Sequence, residues 1–358
     1  MITKDGKEIV EFDYQELVNA TEGFSPSRLI GKGSHGTVYK GILKDNKLVA
    51  IKRTSINGVG QAHYDNSKKL ENEISVLSSL PGSSHIVKFL GTSHDLGERQ
   101  NRVLVMEFLP NGSLHDLLHV AATPPPWRKR LEVALQIARA IKFLHERNPP
   151  VIHRDIKPAN ILFDSNWDVK LADFGLAVSP GPDQCLPAGT VGYLDPLYIT
   201  PEKLSANTDV YSFGVVLLEI ISGRKAIDIT KSPAPVVEWA IPLIEKQRIA
   251  EICDPKTPLP ADMLSTVRRL LSMAARCLSS DETPRPSILE IVTEIENSSI
   301  EPVRNSVFSS FLQSVIFIRP RQKEVPRCRA SCAQKGDITS DASRGKVLLK
   351  EVLADMLP

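Results

Sequence analysis

The sequence predicts an α+β chain: an N-terminal lobe built on a small antiparallel sheet with one main helix, then a larger, mostly helical C-terminal lobe. Three observations carry this. Apolar strand-like runs alternate with glycine and Asp-Asn turns from Leu29 to Ile51. After Pro110-Asn111-Gly112 the apolar residues fall instead at helical spacing. The 358 residues are enough for two lobes with substantial cores.

In chain order, F-D-Y-Q-E-L-V-N-A-T predicts a short helix inside a lead-in of residues 1–23. L-I-G-K-G-S-H-G-T-V-Y-K-G-I-L predicts strand, glycine turn and strand. Asp45-Asn46 suits a tight hairpin turn, and K-L-V-A-I-K predicts the third strand. Asn57 to Ser67 is polar and reads as a loop. Leu70, Ile74 and Leu77 share a helix face that Pro81-Gly82 brings to an end. I-V-K-F-L-G and R-V-L-V-M-E-F complete the strands. Trp127 to Glu146 then carries a wide apolar face, followed by apolar helical segments over Val210–Ile221, Val236–Glu245 and Met263–Leu278. Past about Glu296 the pattern breaks down into a Ser-, Arg- and Lys-rich tail, residues 297–358, with one apolar patch at Val307–Ile318.

The composition, 42% hydrophobic and 24% charged with a net charge of +2, is that of an ordinary globular protein and gives no reason to expect nucleic acid. From Glu301 onward ten Lys and Arg face six Asp and Glu, so the basic excess sits in the tail. That tail is expected to be a flexible extension or a helix packed on the large lobe, with peripheral membrane contact as the alternative. Five cysteines without a C-x-x-C pair point to reduced thiols in the cytoplasm. Met1–Val10 is polar, Ile2 does not suit myristoylation, and Glu219 interrupts the longest apolar run. The expectation is a soluble, monomeric intracellular protein.

The stretch V-I-H-R-D-I-K-P-A-N-I-L-F places Arg154, Asp155, Lys157 and Asn160 between apolar flanks that want burial, so the loop should be sheltered and held in place. Gly31, Gly33 and Gly36 have G-x-G-x-x-G spacing but run on into a strand, unlike a dinucleotide fold, where a helix follows. Such a hairpin can bring backbone N–H groups to a polyphosphate, or be an ordinary turn. Lys52 ends the apolar strand V-A-I-K and needs anionic partners unless it snorkels to the surface. Glu73 shares the inward helix face of Leu77 and is the candidate; Glu71 points the other way.

Together G-K-G-S-H-G-T-V, V-A-I-K, H-R-D-I-K-P-A-N and D-F-G (Asp173 to Gly175) resemble the eukaryotic protein kinases, over roughly residues 24–296, with an N-lobe at 24–109 and a C-lobe at 110–296. N-A-T-E-G-F-S, L-P-N-G-S-L, G-T-V-G-Y-L-D-P and D-V-Y-S-F-G-V-V-L-L-E-I-I-S-G-R resemble the plant receptor-like group, most of all its cytoplasmic, Crinkly-related members. The resemblance implies an ATP-dependent serine/threonine kinase that acts on protein substrates in signalling. It needs Mg²⁺, with Mn²⁺ as the alternative ion, and an upstream receptor kinase is a candidate partner at the inner face of the plasma membrane. Asp155 would orient the substrate hydroxyl, Lys157 would touch the transferred phosphate, and Asn160 and Asp173 would hold the metal. Lys52, held by Glu73, would contact the α- and β-phosphates. The nucleotide would lie against Ile30, Gly31, Lys32, Gly33, Ser34, His35, Gly36, Thr37, Val38, Ala50 and Leu162, beside Met106, with the backbone of Glu107 and Leu109 reading adenine. Asp209 would brace the catalytic loop, and Lys157 with Thr190 would suit a short aliphatic hydroxyl. A kinase fold without turnover is the rival reading.

Two departures stand out. Leu197 sits where the family has a glutamate that pairs with a buried arginine, here Arg285. Arg285 should therefore find another acceptor, Glu202 or Asp195, or become solvated. The segment from Asp173 to Pro196 offers only Ser179, Thr190 and Tyr193 as hydroxyls. Activity is therefore expected to depend little on phosphorylation there, with Asp183 or a phosphorylated Ser179 as the anion that could meet Arg154.

Overall fold

The computed structural model describes residues 9–33, 36–54, 61–94, 102–179, 186–280 and 285–298. All belong to the first of two compact units, Met1–Phe317; the second, Ile318–Pro358, lies outside the described residues, as do the Val307–Ile318 patch and Asp183.

The N-terminal part is a five-stranded antiparallel sheet of β1 (Leu29–Gly33), β2 (Gly36–Ile42), β3 (Leu48–Arg53), β4 (Phe89–His94) and β5 (Arg102–Glu107), in the order β1-β2-β3-β5-β4. Asp45-Asn46 makes the β2–β3 turn, with Asn46 at φ 62° and the Lys47 amide donating to Asp45 Oδ1 at 3.0 Å. Successive residues of a strand face opposite ways, and here both faces are covered, so β3 and β5 read as continuous apolar runs. Ala50, Leu104 and Met106 turn toward Leu70, Ile74 and Leu77 of helix α2 (Gln61–Ser79). Val49, Ile51, Val103 and Val105 turn the other way and pack under Leu17 and Ala20 of helix α1 (Tyr14–Ala20).

The described part of the lead-in is therefore part of this lobe. Asp13 caps α1 by accepting from the Gln15 amide, and residues ahead of it run along β4: Phe12 N donates to Thr92 O at 2.8 Å and Thr92 N to Val10 O at 3.0 Å. Gly91 is required at that seam, because a Cβ would stand 2.3 Å from the Val10 carbonyl oxygen. A second difference concerns α2. It begins at Gln61, inside the stretch expected to be a loop, because Q-A-H-Y-D-N-S-K offers no apolar repeat to signal a helix.

The C-terminal part is helical: α3 (Trp127–His145), α4 (Ala206–Ser222), α5 (Val236–Glu245), α6 (Ile249–Ile252), α7 (Leu264–Cys277) and α8 (Ile288–Ser298). Every residue of α4 from Thr208 to Ser222 is buried, which explains its nearly unbroken apolar sequence. Ser205 caps its start and Gly223, at φ 66°, ends it. Between α3 and α4 a two-stranded ribbon, β6 (Ile161–Phe163) and β7 (Val169–Leu171), fixes the chain between the polar loop and the Asp173 turn. No helix among the described residues is long and apolar enough to cross a membrane.

Candidate active site

Lys52 lies on β3 between Val38 of β2 and Leu104 of β5, so its side chain is delivered to the α2 side of the sheet. There Nζ donates to Glu73 Oε2 at 2.6 Å and Asp173 Oδ1 at 2.8 Å. Burial alone would pull this ammonium toward neutrality, but the Glu73 and Asp173 carboxylates outweigh it and hold it charged, above the usual lysine range. Glu73, 1% exposed, also accepts the Phe174 amide at 3.3 Å, and Asn72 Nδ2 donates to the carbonyls of Phe174, Gly175 and Ala177. Helix α2 thus grips the Asp173 turn by its charges and by its backbone. Asp173 itself is left-handed at φ 65°, a strained setting for a non-glycine residue that these bonds hold in place.

The loop before β6 is set from below. Asp209 of α4 is fully buried; its Oδ2 accepts from the His153 amide at 2.8 Å and faces His145 Nε2 at 2.9 Å, while Oδ1 accepts the Arg154 amide at 2.8 Å. Burial would raise this carboxyl's pKa, yet His145 and the backbone donors hold it below the ordinary value. Asp155 then emerges 3% exposed with its carboxylate held on three sides. Lys157 Nζ donates to Oδ2 at 2.7 Å, Thr190 Oγ1 to Oδ1 at 2.6 Å, and Asn160 Nδ2 to Oδ2 at 3.0 Å and to the Asp155 carbonyl at 2.9 Å. Lys157 also reaches Thr190 Oγ1 at 2.7 Å. The Asn160 carbonyl accepts the Ala172 amide at 2.9 Å, which ties this loop to the chain that delivers Asp173.

The expected nucleotide surface assembles in part. Gly31, Lys32 and Gly33 lie on β1 and Gly36, Thr37 and Val38 on β2, Gly33 pairing with Gly36; Ser34 and His35 lie outside the described residues. Gly36 is needed for packing as well as for any ligand, since a Cβ there would meet the Arg53 carbonyl oxygen at 2.4 Å; at Gly31 a Cβ would make only ordinary contact with Val38. Ala50 and Met106 are ladder partners, each 7% exposed, and Val38, Leu109 and Leu162 are partly buried against the same core. Ile30 is 47% exposed, an apolar side chain with room to be covered. The Glu107 amide is committed to the Lys88 carbonyl at 3.0 Å and its side chain accepts the Lys88 amide at 2.8 Å.

Among the described residues no group of three or more His, Cys, Asp or Glu is placed to hold a metal ion unaided. An amide oxygen from Asn160 and a carboxylate from Asp173 are the donor types that would suit a hard divalent cation, with other oxygen ligands coming from outside the chain. Two hydrogen-bonding partners escaped sequence reasoning. Asn72 sits beside Glu73 with no motif to mark it. His153 stacks edge-on against Phe174 with centroids 4.7 Å apart. Arg285, by contrast, meets one of its two expected acceptors: Asp195 takes both terminal nitrogens, Nη2 to Oδ1 at 2.9 Å, while the Ser279 and Asn207 carbonyls accept at 3.0 and 3.1 Å and Tyr211 lies beneath. Leu197 is left 44% exposed.

A lysine–glutamate pair crossing from sheet to helix, facing a braced Asp–Lys–Asn loop and a D-F-G turn, is the apparatus of phosphoryl transfer from a nucleotide. The protein kinase domain family matches residues 24–295, and the chain belongs to it: it is an ATP-dependent protein kinase. It is 50% identical over 333 residues to the serine/threonine-protein kinase-like protein At5g23170 of Arabidopsis thaliana, covering 88% of this chain and 95% of that protein. Similarity extends at 42% identity to the serine/threonine-protein kinase-like protein At3g51990 (81% of this chain, 80% of that protein) and at 40% to the serine/threonine-protein kinase-like protein CCR4 (81% and 41%), both from the same plant. The chain is thus a plant-type kinase similar to Crinkly-related proteins.

Proposed function

We propose that this chain phosphorylates serine and threonine hydroxyls of proteins, with Asp155 as the residue that aims the acceptor and takes up its proton. The observation that carries this is the three-sided hold on the Asp155 carboxylate. Lys157, Thr190 and Asn160 all bond that carboxylate, and in this reading the acceptor hydroxyl would arrive beside Lys157 and Thr190. A short aliphatic hydroxyl suits a carboxylate already bonded to Thr190, whereas a phenol would need more depth. Lys52, kept charged by Glu73 and Asp173, would pair with the α- and β-phosphates. Asn160 and Asp173 would hold Mg²⁺, which when bound neutralises phosphate charge. Ile30, Val38, Ala50 and Leu162 would enclose adenine between apolar surfaces, and the Lys157 ammonium would offset charge that develops on the transferred group. Names of the relatives support the serine/threonine reading. An upstream receptor kinase and membrane contact through the basic tail extend the same proposal.

The test is transfer of labelled γ-phosphate to a serine/threonine peptide array by wild type and Asp155→Asn. Wild type is expected to label peptides, and the variant to lose about 10²–10⁴-fold in kcat while still binding ATP. Equal silence of both proteins would favour a nucleotide-holding scaffold, and tyrosine-only labelling would overturn the acceptor assignment.

A further inference from the structure

Arg154 precedes the proposed catalytic aspartate and is itself strained, at φ 65°, in a setting held by the Asp209 bond to its amide. Its guanidinium is buried and reaches across the segment that follows Asp173. Nε donates to the Leu176 carbonyl at 2.6 Å, and Nη1 donates to the Leu186 carbonyl and to the Tyr198 hydroxyl, both at 3.1 Å. The Tyr198 hydroxyl, on a side chain 1% exposed, in turn donates to the Leu186 carbonyl at 3.4 Å. One arginine thus fastens the start of the segment, its middle and the residue beyond Leu197, all through uncharged oxygens. No carboxylate among the described residues forms an ion pair with it.

The hydroxyls of the segment tell the same story. Thr190 is bonded to Asp155 and Tyr193 donates to Glu219 at 2.9 Å, so both are occupied in the fold. Ser179 alone is exposed. A phosphate would bind Arg154 by charge; here several neutral acceptors in fixed positions do it by geometry, and a buried guanidinium needs such partners regardless of any modification.

We propose that the Tyr198 hydroxyl is a standing partner of Arg154 that takes the place of an activating phosphate, making Tyr198 a positioning residue for Asp155. This rests on the kinase reading above. It accounts for an arginine before the proposed catalytic aspartate that faces a segment with so few modifiable hydroxyls.

The experiment uses the full chain, treated with phosphatase and shown phosphate-free by intact mass, and compares kcat and KM for ATP and a peptide acceptor. Phosphate-free wild type and Ser179→Ala are expected to keep the kcat of untreated protein within about twofold. Tyr198→Phe, which removes one oxygen and keeps the ring, should lose about 10- to 100-fold in kcat, with KM for ATP nearly unchanged and the protein still cooperatively folded at the assay temperature. Arg154→Met should lose at least as much, and the double variant no more than Arg154→Met alone, because the hydroxyl acts through the guanidinium. Full kcat in Tyr198→Phe, multiplying losses in the double variant, or inactivity of phosphate-free wild type alone would each overturn the proposal. If Tyr198→Phe does not fold, loss of kcat in the phosphate-free wild type or in Ser179→Ala still overturns the proposal. A wild type silent both before and after phosphatase would instead remove the kinase reading, and this proposal with it.

Discussion

His153 shows how one buried side chain can carry a pH dependence. Its Nδ1 accepts the Asp155 amide at 3.3 Å, so the proton sits on Nε2, which donates to the Ala172 carbonyl at 3.1 Å. A second proton would have to go on Nδ1, against the Asp155 N–H. Burial depresses the pKa below 6.5 although Asp209, Asp155 and Asp173 pull it upward. The folded state therefore binds fewer protons than the unfolded one, so the stabilisation is full above about 6.5 and declines as pH falls below it. Melting temperature measured against pH should drop on that acidic side, and His153→Phe should flatten the slope; an unchanged slope would assign it to His85 and His115, which burial shifts the same way. Arg285 and Asp195, 8% and 4% exposed, give a sharper residue-level expectation. Asp195→Ala strands a buried guanidinium and should cost about 3–5 kcal/mol by chemical denaturation, whereas changing both partners to apolar residues should recover much of that loss. The identity of these charged partners was legible because the chemistry leaves few candidates. Asp195 could be named only as one of two, since sequence does not say which carboxylate turns inward.

At the level of elements, helix α1 makes the clearest case. Its existence was legible from F-D-Y-Q-E-L-V-N-A-T, but its task was not, because an amphipathic pattern announces a buried face without saying what buries it. Leu17 is fully buried against the outer face of the sheet. Leu17→Ala should cost about 2–5 kcal/mol in urea or thermal unfolding, as for other large-to-small changes in a core. Removing residues 1–23 should uncover Val49, Ile51, Val103 and Val105 together and yield aggregating protein, even though the catalytic motifs all lie beyond the cut. The first turns of α2 were missed for the opposite reason: they are helical without an apolar stripe, held by continuity with the turns that carry Leu70, Glu73 and Leu77. Strand pairing, by contrast, followed closely from the turn residues and the alternation, which is why β1 to β3 fell where expected.

Considered whole, the described residues join sheet and helices through Lys52, which donates to Asp173, through Glu73, which accepts the Phe174 amide, and through the core that runs from Met106 to α3. A nucleotide bound there would add contacts to both sides at once. ATP with Mg²⁺ at about one hundred times its Kd should raise stability by about 2.7 kcal/mol, read as a rise in melting temperature that Lys52→Met diminishes. Two thiols report on the same integrity: burial pushes Cys277 up to about 12 and Cys253 to about 11, so alkylation mapped by mass spectrometry should reach either only as the fold opens. One feature of the helical part reaches past stability. Because Asp195 occupies the Arg285 guanidinium, position 197 is relieved of anchoring duty and presents a leucine to solvent just after the stretch that, on the proposed function, an acceptor protein would approach. Selection on that spot can then act on whom the surface greets, with the scaffold beneath indifferent to the outcome.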